Sequence, residues 1–355
     1  MESLELKAFY KGKKVLVTGH TGFKGSWLCS ILLEYGAVVC GIGLQPNTEP
    51  ALFNLLDLDD RVQSNIMDIR DLEKIKAVFD QFQPEIVIHL AAQPLVLDSY
   101  SNPVYTFDVN VIGTVNILEC VRLNHCVRSF INVTTDKVYE NREQENYGYA
   151  ETDRLNGFDP YSNSKSCSEL VTSSYCKSFF SDRDVSISTC RAGNVIGGGD
   201  FSENRIVPDC IKHAVKEIPI IVRNPNSVRP YQHVLEADMF YLILAMKQYI
   251  DRRYAGNYNI GPDDRDCITT SQLCDLFCQF WEGAEWEATD YKGPHEANFL
   301  KLNCMKAKET LQWYPRWHAN EAVKKTVEWS KAFINKEDLR EVTRQQILEY
   351  MEESI

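Results

Sequence analysis

The sequence predicts an α/β fold: a doubly wound parallel sheet with helices on both faces and a smaller, interleaved C-terminal lobe. Three observations predict it. Short apolar runs alternate with helical patterns through the first two-thirds of the 355 residues, the rhythm of successive βα units. Gly19, Gly22 and Gly25, three residues apart, follow directly on the first apolar run. After about residue 195 the rhythm breaks into Gly197-Gly198-Gly199, several prolines and irregular spacing.

The first strand is KVLVTG, and 25–35 is the helix after it. Between them TGHTGFKG turns the chain, with Thr21 and Phe23 among the glycines. Glycines at this spacing let backbone approach a pyrophosphate, and the helix start offers N–H donors and a positive dipole. A turn of this kind at the first strand–helix junction predicts dinucleotide binding and a Rossmann-type domain. AVVCGIG is the second strand. The acidic residue expected at its end to hold the ribose of NAD is absent, since the chain runs CGIGLQPNTEP, and no arginine stands there to grip a 2′-phosphate. Asp68 and Ile69, at the end of a third strand, are placed to flank the adenine.

Helix 71–82 leads to the strand IVIHLAA, and helix 104–124 to the strand SFINVTT. That strand ends in TTDK, placing Thr135, Asp136 and Lys137 where an apolar strand abruptly becomes polar. Helix 162–180 follows, with Tyr161 and Lys165 four residues apart on one face. An ammonium so near would lower a tyrosine pKa from its reference of about 10 and make the phenol a base. VSISTCRAGNV is strand again, and 303–355 returns to helical patterning. On this reading residues 1–195 form the dinucleotide-binding domain, with some later segments returning to it. Residues 196–355 form mainly a substrate-binding lobe.

A net charge of −12 argues against nucleic acid, which would want a basic face. No run of eighteen apolar residues suggests a membrane span, and the start MESLELKAFYKGKK lacks the apolar stretch of a signal peptide. Twelve scattered cysteines without CxxC or zinc-ligand spacing read as reduced thiols of a cytoplasmic protein and leave no metal site to expect.

TGHTGFKG, HLAAQ at 89–93, DVNVIGT at 108–114 and the Tyr161/Lys165 pair together resemble the extended short-chain dehydrogenase/reductase family over nearly the whole chain. The resemblance implies that Tyr161 removes the proton of a substrate alcohol that Thr135 also binds, while Lys165 holds the nicotinamide ribose. It places Leu90, Ala91 and Ala92 at the cofactor and Asn110 in the helix supporting Lys165. An alcohol dehydrogenase would leave Asp136 and Lys137 idle. In nucleotide-sugar 4,6-dehydratases of the family, the matching position makes Asp136 the acid that protonates the C6 hydroxyl. Related dehydratases carry a glutamate base where Lys137 stands. Lys137 serves as base if partly neutral; if Asp136 pairs with it, another group must take the C5 proton.

TTDKVYEN, DPYSNSK, RAGNVIGGGDF, RIVPD, RPYQHVLE and HEANFLKLN are similar to the members that act on CDP-glucose. The resemblance then implies Asn194, Arg205, Arg223, Arg229, Gln232, His233 and His295 at the substrate, the arginines suiting phosphate oxygens. It also implies a dideoxysugar route to surface polysaccharide such as O-antigen. A hydride that leaves C4 and returns to C6 of one sugar favours tightly bound NAD. A homodimer or dimer of dimers through helices 104–124 and 162–180 is expected. The alternatives are a 4-epimerase or decarboxylase on the same scaffold, or a non-catalytic NAD-binding regulator.

Overall fold

The computed structural model describes residues 2–144, 147–289 and 299–352. Seven strands form one parallel sheet: β1 (Lys14–Thr18), β2 (Val38–Gly43), β3 (Gln63–Ile66), β4 (Ile86–His89), β5 (Ser129–Thr135), β6 (Ser186–Ala192) and β7 (Asn257–Ile260). Their order is β7-β6-β5-β4-β1-β2-β3, so the chain reverses direction across the sheet between β1 and β4. Crevices for ligands open at that switch point, beyond the carboxyl ends of the strands. The central strands are buried throughout, which explains why they read as apolar runs without alternation.

Helices cover both faces. On one side α1 (Glu2–Tyr10), α2 (Phe23–Glu34) and α6 (Val234–Ile250) share a core with the C-terminal helices, including Trp27, Phe240, Trp317, Trp329 and Tyr350. On the other, α3 (Leu72–Phe82), α4 (Pro103–Leu123) and α5 (Pro160–Phe179) pack against the sheet through Phe79, Ile117, Leu118, Phe130 and Phe180. A third core, around Val207, Ile220, Tyr231, Leu273 and Phe277, belongs to the smaller lobe. The predicted α/β architecture is the observed one. The lobes share chain, since β7 and α6 come from beyond residue 195 and complete the first lobe's sheet and one of its helical layers.

Three local departures have physical causes. The helix expected over 104–124 is not a uniform coil: Asp108–Ile112 forms a π-turn, a widening common beside functional sites. The strand expected to run through Val195 stops at Ala192, and Val195–Ile196 pairs instead with Gln232–His233. At Gly193 between them a Cβ would come within 2.7 Å of Pro230 Cγ, so the crossing segment lies against the bare backbone. Finally, α4 is long and apolar enough to cross a membrane by composition, but 56% of its apolar stretch is buried inside the protein. All twelve cysteines are free thiols.

Candidate active site

One cavity of about 770 Å³ runs along the carboxyl ends of the strands and into the smaller lobe. Gly19, Thr21, Gly22, Phe23 and Gly25 line it, with Asp68, Ile69, Leu90, Ala91 and Ala92. The glycine turn has no room for side chains. Gly19 sits at φ +75°, and a Cβ there would meet Ala91 N at 2.8 Å. At Gly25 it would lie 2.1 Å from Gly19 O. The Gly22 cap of α2 makes no side-chain hydrogen bond to the helix start, so the first N–H groups are left to a ligand. These residues fit a dinucleotide. The second-strand end contributes Gly43, Leu44 and Gln45, and Thr21 is spent on Leu44 O at 2.8 Å. The Arg70 guanidinium grips the Asp68 carboxylate, holds it below its usual range, and also reaches Asp108.

TTDK forms a turn at the end of β5. Thr135 caps the short helical turn Asp136–Val138 and accepts from Lys137 N. Its hydroxyl donates to Asp136 Oδ1 at 2.9 Å, and the Tyr161 phenol lines the same cavity wall. Asp136 is 0% exposed, and its charge acts on Tyr161. Thr135, Lys137, Tyr161 and Lys165 line the cavity; Asp136 lies behind them. The carboxylate is drawn back because Thr135 and Lys137 both donate to Oδ1, the ammonium at 3.3 Å. Asp136 Oδ2 has no hydrogen-bond partner.

One expectation about the tyrosine needs correction. Lys165 Nζ donates to Val133 O at 3.0 Å, and burial pushes Tyr161 up to about 12 instead of down. Lys165 itself falls to about 8, first because burial disfavours its charge, then because Lys24 repels it. Asn110, expected among the cofactor ligands, stands off the cavity. From the π-turn it donates to Ser164 Oγ at 2.8 Å and Gln93 O at 3.1 Å, while Gln93 N donates back to it at 2.8 Å. It thereby ties α4 to the residue preceding Lys165.

At the far end, Asn194, Arg205, Arg223 and Arg229 line the cavity. Asn194 Oδ1 is buried without a hydrogen-bond partner. Arg205 donates to Asp200 at 3.1 Å and Arg223 to Asn204 O at 3.2 Å. Gln232 and His233 were expected here, but they lie behind the wall. Gln232 donates to Ile260 O at 3.3 Å. His233 caps α6 by accepting from Leu235 N and is flanked edge-on by Trp27 and Trp317. Both are buried where they pair with Val195–Ile196 beneath the start of α6. His295 lies outside the described residues. Lys24, overlooked within the glycine turn, also lines the cavity.

The site therefore joins a dinucleotide turn to a phenol, a hydroxyl, a buried carboxylate and three lysine side chains, with arginines beyond. Such a fold and site define an extended short-chain dehydrogenase/reductase. A family model described as GDP-mannose 4,6 dehydratase matches residues 16–326, and the chain belongs to that family. It is 44% identical over 352 residues to the CDP-glucose 4,6-dehydratase of Salmonella typhimurium, covering 97% of this chain and 98% of that one. The Thermus thermophilus UDP-glucose 4-epimerase, solved in complex with NAD, superposes with a TM-score of 0.78 at 25% identity, covering 89% and 98%. The Bacillus anthracis dTDP-glucose 4,6-dehydratase, also solved in complex with NAD, gives 0.76 at 20%, covering 92% and 99%.

Proposed function

We propose that the chain converts CDP-D-glucose to CDP-4-dehydro-6-deoxy-D-glucose and water, with NAD as resident cofactor. The observation that carries the reading is the hydrogen-bonded line Thr135–Asp136–Lys137 at the cavity that Tyr161 also lines. An epimerase needs only the phenol and the hydroxyl. The near-full-length likeness to a CDP-glucose 4,6-dehydratase supports the nucleotide.

When bound, NAD supplies the acceptor that takes a hydride from C4 and gives it back at C6, and its positive ring favours a phenolate beside it. Gly19, Gly22 and Gly25 would admit its pyrophosphate; Asp68, Ile69 and Leu90–Ala92 would wall the rest, and Lys165 would hold the nicotinamide ribose. Tyr161 removes the C4 hydroxyl proton and passes it along Thr135 to Asp136. The C4 ketone makes the C5 proton acidic, and Lys137, at the cavity surface, removes it. Asp136, turned into the cavity from behind Thr135 once Lys137 leaves it, protonates the C6 hydroxyl, the C6–O bond breaks and water leaves. Lys137 returns a proton to C5 as C6 is reduced, so the four groups end as they began. Asp136 pairs with Lys137 in the structure, so Lys137 acts as base only after its ammonium gives one proton to solvent and swings toward the sugar as the amine, which its partly exposed side chain permits. Asn194, Arg205, Arg223 and Arg229 bind the nucleoside diphosphate, two phosphates that an acidic protein must meet with local cations.

Incubation of purified protein with ADP-, CDP-, GDP-, UDP- and dTDP-glucose in deuterated water tests this. CDP-glucose should yield a 4-keto-6-deoxy product bearing deuterium at C5. Formation of a 4-epimer without loss of water would overturn it. The protein is further proposed to act in the cytoplasm as a homodimer. Val104, Ile112 and Leu123 on α4, with Leu170 and Phe179 on α5, are exposed apolar groups that a four-helix interface would bury. Monomeric light scattering at micromolar concentration would exclude the dimer.

A further inference from the structure

Asp209 is a carboxylate in a wall that otherwise gathers cations. It stands in the first turn of the helix Ile206–Val215 and lines the substrate end of the cavity with Arg205 and Arg223. Its N–H donates to Arg205 O at 2.9 Å, so the two residues stand one turn apart. Arg205 nevertheless turns to Asp200. Among the described residues no hydrogen bond or ion pair engages the half-buried Asp209 carboxylate. Burial raises it above the usual carboxylate range, a push that Arg223 offsets only in part. Its charge also weakens the hold of nearby arginines on phosphate. A carboxyl group kept at that cost calls for a hydrogen-bond donor on the ligand.

The neighbouring wall selects the donor. Val207 and Pro208 on the same helix and Ile221 on the strand Ile220–Val222 line this end of the cavity, and Ile221 is 40% exposed there. An apolar wall of this kind takes a flat ring and leaves the ring's polar edge to a side chain at its border. The arginines suit the phosphates. Cytosine presents a 4-amino donor on its edge where uracil and thymine present a carbonyl oxygen. A carboxylate accepts a hydrogen bond from the amino group and is repelled by the oxygen. Resting on the nucleotide reading above, we propose that Asp209 accepts from the 4-amino group of cytosine and so sets the site's choice of CDP-sugars over UDP- and dTDP-sugars. The diphosphate, common to all three, cannot make that choice.

The test titrates CDP and UDP separately into the full chain with NAD, by calorimetry, so that no turnover is needed. The wild type should bind CDP the more tightly. Asp209→Asn keeps the shape and adds an NH2 group that donates to a carbonyl oxygen. It should tighten UDP and narrow the preference for CDP about tenfold. Asp209→Ala removes acceptor and charge together and should also narrow the preference; it decides should the Asn variant fail to fold by circular dichroism. A preference within about twofold of wild type in the folded variants, or a shift of both nucleotides alike, overturns the inference. With a wild type that prefers CDP, either result leaves the function above intact. A wild type that binds UDP as tightly as CDP removes the nucleotide reading and this inference with it.

Discussion

The two ends of the cavity are built by different means. At the cofactor end the wall is mostly backbone: a turn in which Cβ atoms at Gly19 and Gly25 would strike neighbouring main chain, and the ends of parallel strands. At the substrate end the wall is side chains, Asn194, Arg205, Arg223 and Arg229, carried on short elements of the smaller lobe. Backbone walls tolerate no substitution because the shape itself is the recognition. Side-chain walls divide recognition among several groups, so losing one weakens binding without abolishing it.

Substitutions can break or sharpen this contrast. Gly25→Ala sets a methyl into Gly19 O and should weaken NAD binding about a hundredfold or more by calorimetry, equivalent to about 2.7 kcal/mol. A folded variant that binds NAD normally would refute the backbone account. Arg205→Ala should raise KM for CDP-glucose about tenfold with kcat little changed, since it removes binding shared by ground and transition states. An equal fall in kcat would move Arg205 into the chemistry.

The smallest effect belongs to His233, which lies behind both walls. Burial lowers it to about 3 from 6.5, so it stays neutral in the fold and takes up a proton on unfolding below pH 6.5. Folded stability must then fall as pH drops below that value. Between about pH 7 and about pH 5.5 the wild type should lose about 1 kcal/mol more than His233→Asn in urea unfolding. A parallel loss in both proteins would contradict the assignment, and a raised KM in the variant would return His233 to the substrate.

The same contrast decides what could be read from sequence. Chain-local chemistry was legible. The glycine spacing after KVLVT implies a tight turn wherever it folds, and SFINVTT ends at Thr135 in the structure as its composition predicts. Tyr161 and Lys165 share a helix face by periodicity alone. Properties that depend on distant chain were not legible. Lys24 looks like an ordinary turn residue until α6 brings Tyr241 Oη to its ammonium. Gln232 and His233 stand in a motif with Arg229, yet the chain alternates there between cavity and core, and no local pattern marks which residue faces which. The direction of the Tyr161 shift was missed for the same reason: burial is a tertiary quantity, and it outweighs a lysine whose ammonium is held by Val133 O. The edge strand β7 was also missed, four residues whose partner β6 lies far upstream.

The central claim is that Asp136 serves elimination, not oxidation, although it is hydrogen-bonded to Thr135 at the cavity that the oxidising tyrosine also lines. Asp136→Asn, mixed with CDP-glucose and NAD and followed by the near-ultraviolet absorbance of reduced nicotinamide, tests it most directly. The variant should oxidise C4 and stall, with reduced cofactor accumulating and no 6-deoxy product released. Product at the wild-type rate, or no reduction of the cofactor at all, would contradict it.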